Sequence, residues 1–252
     1  IFFIFNSLNS KNPLFPRQLF KDRFYVGSIF FSFLFGFILI PPFILIPIFL
    51  TQIQSFPINF VGYILCISGV GGMLGTFFTS KIISLIGNVK TMMLGLFIFI
   101  LSNLEVTFWT ENVSTEQIIL NMLYRGISIS IYYVGLANIT YTTLPNKFRT
   151  YGAGLFQFFR TLGTGVAVAI FIALLNRYQL YYFEEYRNLI SYSNPIIINK
   201  LNMDEFSYRN FIKIYNEINT QAKIKSLNTD FLFLSLSPII FFPLFYFYKT
   251  KN

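Results

Sequence analysis

The chain has 252 residues, of which 54% are hydrophobic, 20% aromatic and only 12% charged, with mean hydropathy +0.59 and a formal net charge of +9. Soluble domains average roughly 45–50% apolar and 25% charged residues, so a soluble globule is excluded because it could not hide this much apolar surface. Histidine is absent and Cys66 is the lone cysteine, which leaves no Cys/His metal cluster, disulfide framework or Cys/His nucleophile pair; no catalytic residue, metal or cofactor is expected.

In chain order, residues 1–5 are apolar but far short of the ~20 needed to cross a bilayer. They read as the tail of an upstream helix, and residues 1–24 as that tail plus a cytoplasmic linker of a longer protein. Neither a basic leader nor a small-residue cleavage site accompanies them, so they are not a signal peptide. Six spans follow, at about 26–50, 61–86, 91–108, 118–144, 152–175 and 231–248, each bounded by charged or turn-forming residues. Their apolar runs are continuous rather than alternating, and lipid forces each backbone to satisfy its own hydrogen bonds, so they are helices and not barrel strands. The fold class is therefore an all-α integral membrane protein with six transmembrane helices.

The basic residues cluster at the ends of these segments, which assigns the charge to membrane topology rather than to a nucleic-acid partner. Lys11, Arg17, Lys21, Arg23, Lys81, Lys90, Lys147, Arg149, Lys249 and Lys251 share one side, while the loops at 51–60 and 109–117 carry no Lys or Arg. The basic side is expected to be cytoplasmic, with both ends of the segment there. Residues 176–230 form an external loop. Its last part, 211–228, spaces Phe211, Ile212, Ile214, Tyr215, Ile218, Ala222, Ile224 and Leu227 as an amphipathic helix lying on the membrane surface. The last span and a cytoplasmic tail occupy 231–252.

Arg160 lies nine residues into the fifth span, roughly 13 Å at 1.5 Å per residue, too deep for easy return to the interface. A buried partner or an aqueous cavity is implied. It could face a central cavity and hold an anionic group, or bond to carbonyls of a neighbouring helix as a structural cation. Gln157, three residues away, shares its face. Arg125 could contact substrate or snorkel outward, and Glu105 could carry a proton or sit solvated at the interface beside Phe108 and Trp109.

Gly69, Gly71, Gly72 and Gly75, like Gly163 and Gly165, allow close helix approach, either as a static seam or as a sliding, gating surface. Pro41, Pro42 and Pro47 should kink the first span, freeing carbonyls that other helices or water must satisfy; the bend either shapes a cavity mouth or is merely tolerated. Asn138, Thr140, Thr142 and Thr143 either line a substrate path or make interhelical hydrogen bonds, the latter being favoured.

Several strings, in this order, resemble one family. Asn12-Pro13-Leu14 and Gln18-Leu19-Phe20-Lys21-Asp22-Arg23-Phe24 lead into the first span, Pro47 lies near its outer end, and Gly62 opens the second. Ser80 to Lys90 occupies the place of a cytoplasmic loop motif in which Gly87 and Lys90 fit, while the initial glycine and the aspartate are missing. Arg125-Gly126, Leu144-Pro145, Arg160 with its glycine-rich sequel, and Gln221-Ala222 with Asn228, Asp230 and Phe231 complete the series. Together they resemble the carboxy-terminal half of a fourteen-helix drug:proton antiporter of the major facilitator superfamily, the EmrB/QacA type.

The resemblance implies one half of a bundle built from two three-helix repeats, in the bacterial inner (plasma) membrane. It implies proton-coupled efflux of amphipathic, often cationic, small molecules by alternating access. The implied partners are the lipid bilayer, substrate and protons, the amino-terminal half of the same carrier and a periplasmic adaptor. The alternative is a non-transporting membrane subunit or a degenerate remnant, for which the eroded 80–90 loop argues.

Overall fold

Charged and turn-forming residues punctuate the apolar runs, and the helices end where those residues fall. The computed structural model describes residue 19, residues 22–189 and residues 208–247. The expected upstream tail at 1–5, most of the linker that follows, the middle of the 176–230 loop and the tail from Tyr248 lie outside the described residues.

Asp22 starts α1 (Arg23–Leu34) by accepting from the backbone N–H of Phe24 at 2.9 Å and of Tyr25 at 3.5 Å. α1 runs into a π-turn at Phe35–Leu39, a break at Ile40 and Pro41, and then α2 (Pro42–Gln52). The break has a simple cause: Pro41 and Pro42 offer no N–H to the preceding turn. Pro47 lies inside α2, and its carbonyl accepts the Thr51 hydroxyl at 2.7 Å. α1, the π-turn and α2 make up the first span.

α3 (Ile58–Ile86) and α4 (Asn88–Val106) are joined at Gly87, whose φ of 81° is one that L side chains rarely adopt. The Ser114 hydroxyl caps α5 (Thr115–Thr143). A short 3-10 turn at Asn146–Phe148 leads into α6 (Arg149–Leu189), and α7 (Tyr208–Phe247) follows. Five of these six helical spans are long and apolar enough to cross a membrane, and α7 carries the apolar stretch from Phe231. No strand occurs among the described residues, so the protein is an all-helical membrane bundle.

Small residues set the closest contacts. α3 meets α5 along Gly71, Gly75 and Gly126, where an added Cβ would collide with backbone of the facing helix. α1 and its π-turn meet α6 in the same way, with Gly163 against the Phe33 carbonyl and Gly36 against the Arg160 carbonyl. α4 packs between α5 and α7. The buried apolar residues form three clusters along the bundle, the one farthest from the basic end centred on Phe49, Trp109, Phe171 and Phe231.

One expectation needs correction. Residues 211–228 do not form a separate surface-lying helix; they are the continuous first half of α7, and α6 likewise extends past residue 175 to Leu189. The reason is a partner that composition alone does not reveal. Gln179 Nε2 donates to Asn219 Oδ1 at 3.1 Å, the Tyr182 and Thr229 hydroxyls lie 3.1 Å apart, and the Phe183 and Tyr215 rings meet edge to face at 5.4 Å. The two extensions therefore pack on each other through these polar and ring contacts.

Candidate functional site

Arg160 reaches the π-turn of the first span. Its guanidinium carbon lies 5.8 Å from the ring centre of Phe35 and 5.4 Å from that of Tyr133 on α5, a geometry in which ring quadrupoles attract the cation. The rings are held in turn: Phe35 stacks on Tyr132 at 5.8 Å and meets Tyr133 at 5.3 Å, and Tyr133 meets Phe156 at 6.3 Å. The Tyr132 hydroxyl is anchored to the Phe31 carbonyl at 3.2 Å, and Ser32 donates to the Phe156 carbonyl at 2.8 Å. Arg160 is half-buried, and its N–H donors have neither a carboxylate nor another acceptor among the described residues. Gln157, a turn before it, is exposed. The π-turn matters here because it carries Phe35 to the arginine, and such turns recur at functional sites.

Arg125 is a second, different arginine centre. It is fully buried, so the outward-snorkelling reading is overturned. Nη1 donates to Asn103 Oδ1 at 2.7 Å, and Nη2 to Asn121 Oδ1 at 2.9 Å and the Ser102 carbonyl at 3.4 Å. The rings of Phe99 and Phe231 cover the guanidinium, each at 5.8 Å. With partners one turn away on α5 and directly across on α4, the side chain has no need to reach the interface. Asn121 Nδ2 also donates to Glu105 Oε2 at 2.9 Å and to the Tyr124 hydroxyl at 2.8 Å. Glu105 is thus half-buried and tied into the network rather than a free interfacial acid.

The remaining candidates separate by environment. Gly75 and Gly163 lie in tight helix seams, Gly72 is in ordinary contact with Gly126 at 3.9 Å, and Gly69 and Gly165 face open space. Gly87 makes the α3–α4 turn, and Lys90 is exposed beside it at the basic end. Asn138 donates to Asn88 Oδ1 across α4 and α5 at 2.9 Å, whereas Thr142 bonds back to its own helix. Arg160 and Gln157 share one site, and Arg125 and Glu105 share the other.

Ser102, Asn103 and Asn121 escaped the sequence reading. The Asn121–Arg125 spacing of one helical turn was available as a signal, as was Asn103 inside an apolar run. Asp230 was also passed over: it is fully buried at the start of the last apolar stretch, with both carboxylate oxygens lacking a partner among the described residues.

No family model matches the chain. The chain is 21% identical over 246 residues to the colistin resistance protein EmrB of Acinetobacter baumannii, covering 90% of this chain and 46% of that protein. It is 25% identical over 230 residues to the probable multidrug resistance protein EmrY of Escherichia coli K12, covering 87% and 43% respectively. The chain therefore spans less than half the length of the curated relatives it matches. Its similarity to these two resistance proteins extends over nearly all of it.

Proposed function

We propose that this chain, a helical membrane bundle similar to EmrB-type proteins, is the carboxy-terminal half of a proton-coupled exporter of amphipathic small molecules. The observation that carries this reading is Arg160, a half-buried cation held on aromatic rings with its hydrogen-bonding edge unused. Such a group is costly in a membrane and is explained by a ligand or an aqueous cavity. The rings offer a surface for flat apolar groups, and the guanidinium offers donors to an acceptor or an anionic group.

α3 and α6 are the helices through which this half would meet the amino-terminal half. Only 28% and 22% of their apolar windows are buried, against 50–61% for the other three. Alternating access follows if these two surfaces rock about a midplane cavity lined by Arg160 and Gln157, with protons entering as substrate leaves. The setting is the bacterial inner membrane, with the basic end cytoplasmic; a periplasmic adaptor completes the export route.

Efflux of a fluorescent cationic dye and of an anionic one, from cells expressing the full-length carrier with and without a protonophore, tests the reading. Protonophore-sensitive efflux of at least one dye is expected, lost in Arg160→Ala at equal membrane abundance. Efflux indifferent to the protonophore, or unchanged in Arg160→Ala, overturns it.

A further inference from the structure

Asp230 is fully buried and has no hydrogen-bond partner for either carboxylate oxygen among the described residues. It sits on α7 three residues beyond Leu227 and four beyond Ser226, so the three share one helix face. Leu227 and Ser226 are walls of a narrow cleft of about 10 Å3, close to the space one water needs, between α2, α6 and α7, lined also by Ile48, Gln52, Ile53, Leu175, Gln179 and Lys223. The cleft is at the end of the bundle opposite the basic loops. Asp230 lies one turn beyond Ser226 and Leu227 along the same face of α7, behind the residues that line the cleft.

We propose that Asp230 is a proton-binding site that exchanges with the membrane surface opposite the basic end through this cleft. The inference extends the transport reading by placing a proton site in this half of the carrier, and it rests on that reading for its role in coupling. The step is simple: one carboxylate oxygen takes a proton from a hydronium ion at the cleft, the hydronium O–H bond breaking as the carboxyl O–H bond forms and neutral water remaining, and the reverse transfer to water releases it.

The surroundings favour a proton over a metal cation. The cleft walls offer the amides of Gln52 and Gln179 and the Ser226 hydroxyl but no second carboxylate, and no group of three His, Cys, Asp or Glu converges among the described residues. The first span has no charged residue from Phe24 to Gln52. On α6 the nearest cation, Arg177, is exposed outside the cleft, and the Tyr182 hydroxyl is engaged with Thr229. On α4, Glu105 is bonded to Asn121, and Phe231 covers Arg125. That leaves Lys223, two turns from Asp230 on the same face of α7, as the one cation lining the cleft.

An ionised carboxylate without a partner is costly to bury, and protonation removes that cost. Once the proton leaves, the charge requires water from the cleft or the Lys223 ammonium to turn inward. Both part the outer ends of α2, α6 and α7; reprotonation lets them close. Proton occupancy is thereby linked to the spacing of the first, fifth and last spans, the first and fifth of which carry the Arg160 site.

Infrared difference spectroscopy of the purified full-length carrier in liposomes, titrated with acid and base, tests the site without any substrate. A titrating protonated-carboxyl band is expected in wild type, absent in Asp230→Asn and retained in Glu105→Gln. The paired change Gln52→Leu and Gln179→Leu, which closes the cleft with apolar groups, is expected to slow deuterium exchange of that band several-fold.

Titrating carboxyl signal unchanged in Asp230→Asn, exchange indifferent to the cleft substitutions, or a band that shifts when sodium replaces choline would overturn the proposal. Should Asp230→Asn fail to fold, Asp230→Glu keeps the carboxyl and must move the band; an unmoved band counts against the site. Because the band needs no transported molecule, it is distinguishable from a failure of the dye-efflux test.

Discussion

Arg125 and Arg160 are the same side chain in two membrane helices, and their surroundings differ in kind. Arg125 is sealed, with two asparagine oxygens, a backbone carbonyl and two aryl rings around it. Among the described residues Arg160 has rings alone, and part of its surface is open. A buried cation bonded through both terminal nitrogens fixes helices to each other: α4 and α5 are joined through Arg125, Asn103 and Asn121, while Arg125 Nε has no partner among the described residues. A cation supported only on its π-faces keeps its donors for something else. Depth in a membrane segment alone therefore does not mark a functional arginine; the inventory of acceptors does.

The largest expected effect comes from breaking the sealed centre. Arg125→Ala strands the Asn103 amide oxygen, leaves Asn121 Oδ1 with the Ser102 hydroxyl at 3.2 Å, and opens a hole between Phe99 and Phe231. Leaving a buried polar acceptor unpaired costs about 1–3 kcal/mol, and the cavity left by a large buried side chain adds about 2–5 kcal/mol. Thermal unfolding of the purified full-length carrier in detergent should show a large fall in Tm, with reduced membrane abundance. A Tm close to wild type would mean the Arg125 network does not hold α4 to α5.

Asn121→Leu is the next step down. It removes an acceptor from Arg125 and a donor from Glu105, and leaving buried polar groups unpaired costs about 1–3 kcal/mol. Because the two substitutions break one network, their double variant should be no worse than Arg125→Ala by the full sum. Additive losses in the same unfolding assay would show that Asn121 and Arg125 act separately.

How much of this was readable beforehand divides along the same line. The spans were legible because apolar runs end at charges and turn residues, and the break near Pro41 and Pro42 because proline lacks a donor. The π-turn was not, since it depends on Gly36 lying against α6. Phe35, one ring partner of Arg160, was hidden among 34 phenylalanines, which carry no positional signal of their own, and the other, Tyr133, comes from a different span. Arg125 was misjudged because its acceptors Ser102 and Asn103 come from a different span, and adjacency of α4 and α5 is a tertiary fact. The extension of α7 was half legible: the periodicity of 211–228 was there, but the surface it packs on is α6, not lipid.

The seam that sets up the Arg160 site predicts a smaller loss. A methyl group at Gly163 meets the Phe33 carbonyl, which as backbone has little room to yield, so Gly163→Ala must push α1 from α6. Overpacking of this kind costs about 1–3 kcal/mol. Gly165→Ala, two residues on, meets nothing within 4 Å, and the better helix propensity of alanine should leave its Tm equal or slightly higher. Equal losses at both positions would remove the seam as the explanation.

The smallest stability effect is expected at Arg160 itself, and it separates the two arginines most sharply. Arg160→Ala gives up two ring contacts worth about 0.5–1 kcal/mol each at sites that are not fully desolvated. It also relieves a charge placed in an apolar helix without a counter-ion, an opposing gain. Phe35 and Tyr133 still touch each other at 5.3 Å after the guanidinium is gone. The unfolding midpoint should therefore stay near wild type while efflux is lost, the reverse of Arg125→Ala, where stability fails first. A fall in Tm at Arg160→Ala as large as that at Arg125→Ala would make Arg160 a structural cation like its counterpart, and the open donor edge would no longer argue for a ligand.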